Sequence, residues 1–409
     1  ADNAWEVLSS GEHGNYSIFL QGLEIAGYKQ MLEGKAILTI IAPDDDAFQT
    51  YLNKRGFTSI SDMPVNEVSK LIGYHVLYYS YNKEKLVNFR PTGSTETEEE
   101  QNIKAGLYYK HRTRSSDAPT VETTPTGASV MVYHLERYLP IFSYRYFQTK
   151  GIDAKNNYEA FYPNSTWTGD DGFNVSNASV KEYGIIANNG YIHAVDRVVE
   201  PLETIYTELK NKEKYSTFLD LYDSFGVYVA DDELSKSYAK AYGVDTLYQY
   251  QHGGLPNIAC EWPTSSYLNF TALTALSYSI FAPSNTAINS FFDSFWKIGG
   301  YSSMQEVDAL ALNYFLYQFI YGGSMLFPEE LGDDELKNLA GSSLNINPAA
   351  LNEKTMCVNG ALYGMDEIKE PSTFASVIGP LFQYKSARSF LYALLGSSLF
   401  SSYVSDLSK

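Results

Sequence analysis

Three adjacent carboxylates, Asp44, Asp45 and Asp46, form the densest group of possible ligands or acids in the chain, and His75 and His193 are its most suggestive imidazoles. A hard cation wants about six oxygens from a loop of the Asp-x-Asp-x-Asp-Gly type with a glutamate downstream, and this run has none of that spacing. Placed after Pro43 and before Ala47-Phe48, the three aspartates suit a helix start, where carboxylate oxygens meet free N–H groups and a positive helix end. The same reading is preferred for Asp170-Asp171, Asp231-Asp232-Glu233 and Asp333-Asp334-Glu335. His75 and His193 could lie near each other and invite thoughts of metal or general-base work. Each is interleaved with Leu, Val and Ile, however, which suits an imidazole packed in a core and bonded to backbone. The chain has no Gly-x-Ser-x-Gly elbow, no phosphate-cradling Gly-x-x-x-x-Gly-Lys-Ser/Thr loop and no His-Glu-x-x-His pair. No catalytic residue, metal ligand or cofactor site is assigned.

Recognition is the better prospect. Two stretches are rich in aromatic and amide side chains, and from them Tyr158, Tyr162, Trp167, Tyr248, Tyr250 and Trp262 are the candidate ligand-binding residues. Flat rings stack on sugar faces and also anchor protein interfaces. The plainer alternative is that they pin long excursions onto the body of the protein as small satellite cores.

The elements that must carry these residues occur twice. Thr39-Ile40-Ile41-Ala42-Pro43 returns as Ser279-Ile280-Phe281-Ala282-Pro283, and Asn189-Gly190-Tyr191-Ile192-His193-Ala194-Val195-Asp196 returns as Asn359-Gly360-Ala361-Leu362-Tyr363-Gly364-Met365-Asp366. Between them lie helical stretches, Leu71-Ile72-Gly73-Tyr74-His75-Val76-Leu77 in the first copy, with Phe315 read as the counterpart of His75 and Tyr363 as that of His193. Opening helices precede both copies, with Ile18, Phe19, Leu20 and Leu23 matching Phe218, Leu219, Leu221 and Tyr222, and with Gly27 and Gly226 placed to end them. Duplication of one domain is the economical explanation. The first copy is enlarged between its His75 region and its last strand, and the second between its opening helix and its Ala-Pro strand. Within the first enlargement Thr95–Glu100 reads as an acidic exposed loop and Ala128–Tyr133 as a strand.

Composition fits two folded domains: 409 residues, 44% hydrophobic, 19% charged, formal charge -18. That charge repels phosphate backbones, so nucleic acid is not an expected partner. The one basic run, Lys110-His111-Arg112-Thr113-Arg114, is read as the solvated face of a strand. No apolar run reaches the roughly 18 residues of a membrane span. Cys260 and Cys357 leave open a disulfide or two buried thiols. Asn-x-Ser/Thr triplets at Asn15, Asn164, Asn174, Asn177 and Asn269 would suit an exported glycoprotein, and they also arise by chance in a chain this rich in Asn and Ser.

The strand into Ala-Pro-x-x-x-Ala, the Leu71–Leu77 stretch and the closing Asn-Gly-x-Ile-His-x-Val-Asp-x-Val with Pro201 together resemble the fasciclin domain, here in tandem. The resemblance implies an α+β fold of two tandem fasciclin-like domains, each a small β-sandwich or wedge flanked by short helices. The expected division is 1–205 with an insertion at about 90–171, 206–375 with an insertion at about 231–269, and a 376–409 tail. That tail is either the start of a third repeat or a helix packed back on the second. The resemblance further implies non-catalytic adhesion or protein interaction at a cell surface, of the bacterial lipoprotein type anchored to the outer membrane, with an outer-membrane transporter as one possible partner. A carbohydrate-binding surface protein is the competing expectation, with a glycan as partner.

Overall fold

The computed structural model describes residues 2–88, 109–134, 136–260 and 277–396. The acidic tract at 95–100, Trp262 and Asn269 lie outside the described residues. The chain divides into two compact units. The first spans Ala1–Leu202 and also takes in Ala230–Gln249 from later in the sequence; the second comprises Glu203–Val229, Tyr250–Cys260 and the chain from Leu276 onward.

In the first unit, β1 (Leu38–Pro43) is buried along its whole length, as expected of an Ile-rich strand covered on both faces. It runs antiparallel to β2 (Val76–Tyr78) and parallel to β9 (Gly190–Val195), which pairs antiparallel with β8 (Ala178–Ala187). The sheet continues through β7 (Asn174–Val175) and β6 (Tyr138–Phe142) to β3 (Lys110–Arg112). Alternation along β1 serves two cores. Leu38, Ile40 and Ala42 join Phe19, Leu23, Phe48 and Ile72, while Ile41 joins Tyr74, Leu139, Phe173 and Val195. Between β3 and β6, a hairpin of β4 (Thr120–Thr123) and β5 (Ser129–Val132) stands apart, and β5 is the strand expected at 128–133.

The second unit repeats the scheme. β12 (Tyr278–Pro283) is antiparallel to β13 (Ile320–Tyr321) and parallel to β15 (Gly360–Met365), which pairs with β14 (Leu351–Cys357). The register is conserved between the copies: Leu38 faces Gly190 through to Pro43 and Val195, and Tyr278 faces Gly360 through to Pro283 and Met365. Two further strands, β10 (Gly226–Asp231) and β11 (Leu247–His252), arise in the second copy's enlargement.

Two expectations are corrected here. Gly226 does not end the opening helix, which stops at Asp223; it begins β10, where an added Cβ would lie 2.0 Å from the Tyr250 hydroxyl. The basic run is not a solvated face either. Lys110, His111 and Thr113 are buried, and Arg112 and Arg114 each place their guanidinium 4.1 Å from the Tyr78 ring centroid. Strand β3 is drawn inward by its pairing with β6, so the long basic stems cover aromatic surface.

The closing helix, Arg388–Leu395, packs back on the second unit, with Leu391 buried in its main core. Asp308, itself buried, caps the helix Ala309–Tyr317 through Leu310 N–H and accepts hydrogen bonds from Arg388 Nε (3.2 Å) and the Tyr392 hydroxyl (3.0 Å). Asp308→Ala is expected to cost about 2 kcal/mol and to raise hydrogen exchange and proteolysis selectively in 388–395. Unchanged exchange there would show that apolar contacts alone hold the helix.

Candidate interaction surface

The residues first suspected of chemistry are occupied by structure. Asp44 caps the helix Asp45–Arg55 through Ala47 N–H and pairs with Lys181 (2.7 Å), while Asp45 accepts from Ile18 N–H and the Ser17 hydroxyl at the start of the opening helix. His75 Nδ1 donates to the Leu71 carbonyl (2.8 Å) and its Nε2 accepts from Val199 N–H (3.0 Å). His193 Nε2 donates to the Tyr81 carbonyl (2.9 Å) and its Nδ1 accepts from Gly184 N–H (3.1 Å). Both rings are therefore neutral, and burial pushes each down to about pKa 4. They are not a pair: His75 lies against Phe19 and His193 against Phe173, in different cores.

The repeat explains both positions, with one change to the expected alignment. Ile41 N–H bonds the His75 carbonyl just as Phe281 N–H bonds that of Phe319, so Phe319, not Phe315, is the counterpart of His75. Tyr363 does replace His193, its hydroxyl donating to the Leu326 carbonyl (2.6 Å) where His193 meets that of Tyr81.

Of the six aromatic candidates, Tyr158, Tyr162 and Trp167 come together. Tyr158 is fully buried, its ring 5.3 Å from Tyr162 and 5.2 Å from Trp167, and its hydroxyl donates to the Ser176 carbonyl. Trp167 Nε1 donates to Asp170, and its ring occupies the space a Cβ at Gly169 would fill. Asn174, one of the glycosylation triplets, is buried beside them and donates to Thr166 and Tyr158. Tyr162 and Trp167 remain half-buried. Tyr248 pairs with Val132 of β5 in the first unit. Tyr250 belongs to the second unit, where its hydroxyl (2.7 Å), that of Tyr206 (3.0 Å) and His252 Nε2 (3.0 Å) all donate to Asp223. Burial alone would raise the Asp223 carboxyl, but these three bonds outweigh it and hold the group below the ordinary range. Trp262 lies outside the described residues. Cys260 and Cys357 are both free thiols, and burial pushes that of Cys357 up.

The feature that sequence reasoning missed is where the second enlargement goes. Its 230–249 part belongs to the first unit, where Tyr238 stacks on Tyr133 at 5.1 Å and 7°, Tyr242 approaches the same ring edge-on at 6.2 Å, and Tyr248 extends the β4–β5 hairpin. Tyr242 is exposed beside this stack, and Val121 is exposed on the hairpin. In the same unit Arg112 and Arg114 both approach the Tyr78 ring, and Glu136 accepts from Arg112 (2.9 Å) and from the Tyr78 hydroxyl. Arg137 anchors the base of the hairpin, donating to Asp117 and to the Leu202 carbonyl, while Lys70 pairs with Asp117 at 2.8 Å. The high tyrosine content of both enlargements was the available signal. Their meeting was not encoded locally.

Among the described residues, no helix is long and apolar enough to cross a membrane, and no three His, Cys, Asp or Glu side chains are grouped to hold a metal. Residues 14–140 match the family model of the fasciclin domain. No curated protein matches the chain. Among solved structures, a FAS1 domain pair from the insect cell adhesion molecule fasciclin I is similar at 12% identity, with 88% of this chain and 98% of that one covered and a TM-score of 0.27.

Proposed function

We propose that this chain, whose residues 14–140 match the fasciclin domain and whose strand register recurs in its second unit, acts without catalysis, as a cell-surface adhesion and interaction protein that grips a partner protein through its two enlargements. The observation that carries this reading is the convergence of excursions from two different repeats on one surface of the first unit, around Tyr133, Tyr238 and Tyr242. A loop that only filled space would have no need of a strand from elsewhere in the chain. Tyrosines give such a surface large rigid contact area with hydroxyls at the rim, the usual makings of an interface hot spot. The repeat cores, by contrast, spend their polar groups internally, as His75, His193 and Asp44 do.

At a finer level, we place the protein at the outer membrane as a lipid-anchored accessory of a nutrient transporter. Co-purification from native membranes tests both levels. Tyr238→Ala and Tyr242→Ala together are expected to weaken recovery of the partner by at least about tenfold while leaving the thermal melt of the repeat cores in place. Full recovery by the double variant would sink the surface; recovery of a partner that is not a transporter would sink only the finer placement.

A further inference from the structure

The limb that carries Tyr238 and Tyr242 starts along β10 and returns along β11, neighbouring strands of one sheet. Its base lies in the second unit and is closed there. Gly253 N–H bonds the Phe225 carbonyl (2.8 Å), and Tyr228 packs on Tyr250 with ring centroids 5.0 Å apart. The Tyr250 hydroxyl and His252 Nε2, both on β11, reach the carboxylate of Asp223 at the end of the helix Ser216–Asp223. Asp223 also takes the hydroxyl of Tyr206, from the helix Ile205–Lys210. The His252 ring is fully buried, and its Nδ1 meets no hydrogen-bond partner among the described residues. A buried ring with one nitrogen unsatisfied is held by the bond at the other.

The first repeat shows the same position without such a limb. Asp45 accepts from Ile18 N–H and Asn285 from Thr217 N–H, each at 2.8 Å, which aligns the opening helices and sets Glu24 in the place of Asp223. Asn189 accepts from Ala4 N–H and Asn359 from Ile205 N–H, which sets Trp5 in the place of Tyr206. There the carboxylate faces solvent, 64% exposed and 3.9 Å from Lys29, whose ammonium lies over the Trp5 ring. A surface pair of that kind contributes little. The knot of donors on Asp223 is therefore no requirement of the repeat, and it occurs where the limb departs. We propose that Asp223 is the positioning residue of the limb: by gathering Tyr250 and His252 from β11 and Tyr206 from a helix, it fixes the base from which Tyr238 and Tyr242 are presented. The inference rests on the reading of those two tyrosines as a partner surface. A limb already in place spares the partner the cost of ordering it, so a loosened base lowers apparent affinity without altering any contacting side chain.

Hydrogen exchange of the full chain, read by mass spectrometry, and co-purification of the partner test it in two separate arms. Asp223→Asn keeps the shape of the side chain and removes the charge its donors share. It is expected to speed exchange in 226–231 and 247–252 at least about tenfold, with β12 and β15 unaltered. Tyr250→Phe, which keeps its ring on Tyr228 and loses one donor, should show the same change in smaller measure, and Glu24→Gln should show none. In the second arm D223N lowers recovery of the partner at least about threefold and adds nothing to the loss caused by Y238A/Y242A, because it acts through those rings. Limb exchange that stays at the wild-type rate, or protection lost equally in β12 and β15, overturns the proposal. So does full recovery of the partner by D223N, or a loss that adds to that of Y238A/Y242A. Full recovery by Y238A/Y242A with the exchange result intact would remove the partner surface and leave Asp223 as the anchor of the limb.

Discussion

Lowering the pH from 6.5 towards 4 is expected to strip the first unit of much of its stability, with a slope approaching three protons. Burial pushes His75, His111 and His193 from 6.5 down to about 4 in the folded protein. Because the folded pKa is the lower one, the unfolded chain binds more protons between these values. The stabilisation is complete above 6.5, falls as the pH drops, and has gone by about 4. Each ring contributes on the order of 3 kcal/mol across that window. The carboxylates held low, Asp117 and Asp223, lose their contributions below the ordinary 3.8, so the two effects separate on the pH axis. Urea titrations at stepped pH measure the slope. His193→Tyr, the second repeat's own solution, should flatten it by about one proton, and a midpoint that does not move between pH 7 and 4 would contradict the tautomers described above.

Gly190→Ala and Gly360→Ala are expected to abolish folding of the unit in which each lies, at a cost above about 4 kcal/mol. A Cβ at Gly190 would sit 1.8 Å from the Leu38 carbonyl oxygen, and one at Gly360 would sit 1.8 Å from that of Tyr278. Both obstacles are backbone in a central strand, so neither can move without breaking the parallel pair β1–β9 or β12–β15. Gly56→Ala is the control. Gly56 has φ 75 but no atom near a new Cβ, so the change should cost only about 1 kcal/mol. Calorimetry of the three variants gives the comparison, and similar melts for all three would sink it.

The Asn-Gly turns and Ala-Pro strands were legible because tight backbone approach demands particular residues, and the same residues recur wherever the approach recurs. The helix before β13 was less so. Phe315 and Phe319 are four apart, a helical spacing, so apolar pattern alone cannot choose between them as the partner of His75, and only the structure shows that the helix ends at Tyr317, before Phe319. The hydrogen bond from Phe281 N–H to the Phe319 carbonyl decides it. The basic run of β3 misled for a related reason: charge marks solvent only when no aromatic surface is offered, and Tyr78, far away in sequence, offers it. The joining of Tyr133 to Tyr238 is a contact between two enlargements of separate repeats, and no local preference foretells it.

The Asn preceding each of these glycines has a consequence for synthesis. Asn189 accepts from Ala4 N–H and donates to the Leu32 and Gly34 carbonyls, and Asn359 accepts from Ile205 N–H and donates to those of Ile258 and Cys260. The residue that seals each copy thus clasps the residues that open it. During synthesis, therefore, neither copy can close its sheet until its final hairpin is available, and the first waits through its whole enlargement, so closure rests on contacts far apart in sequence, which slows folding.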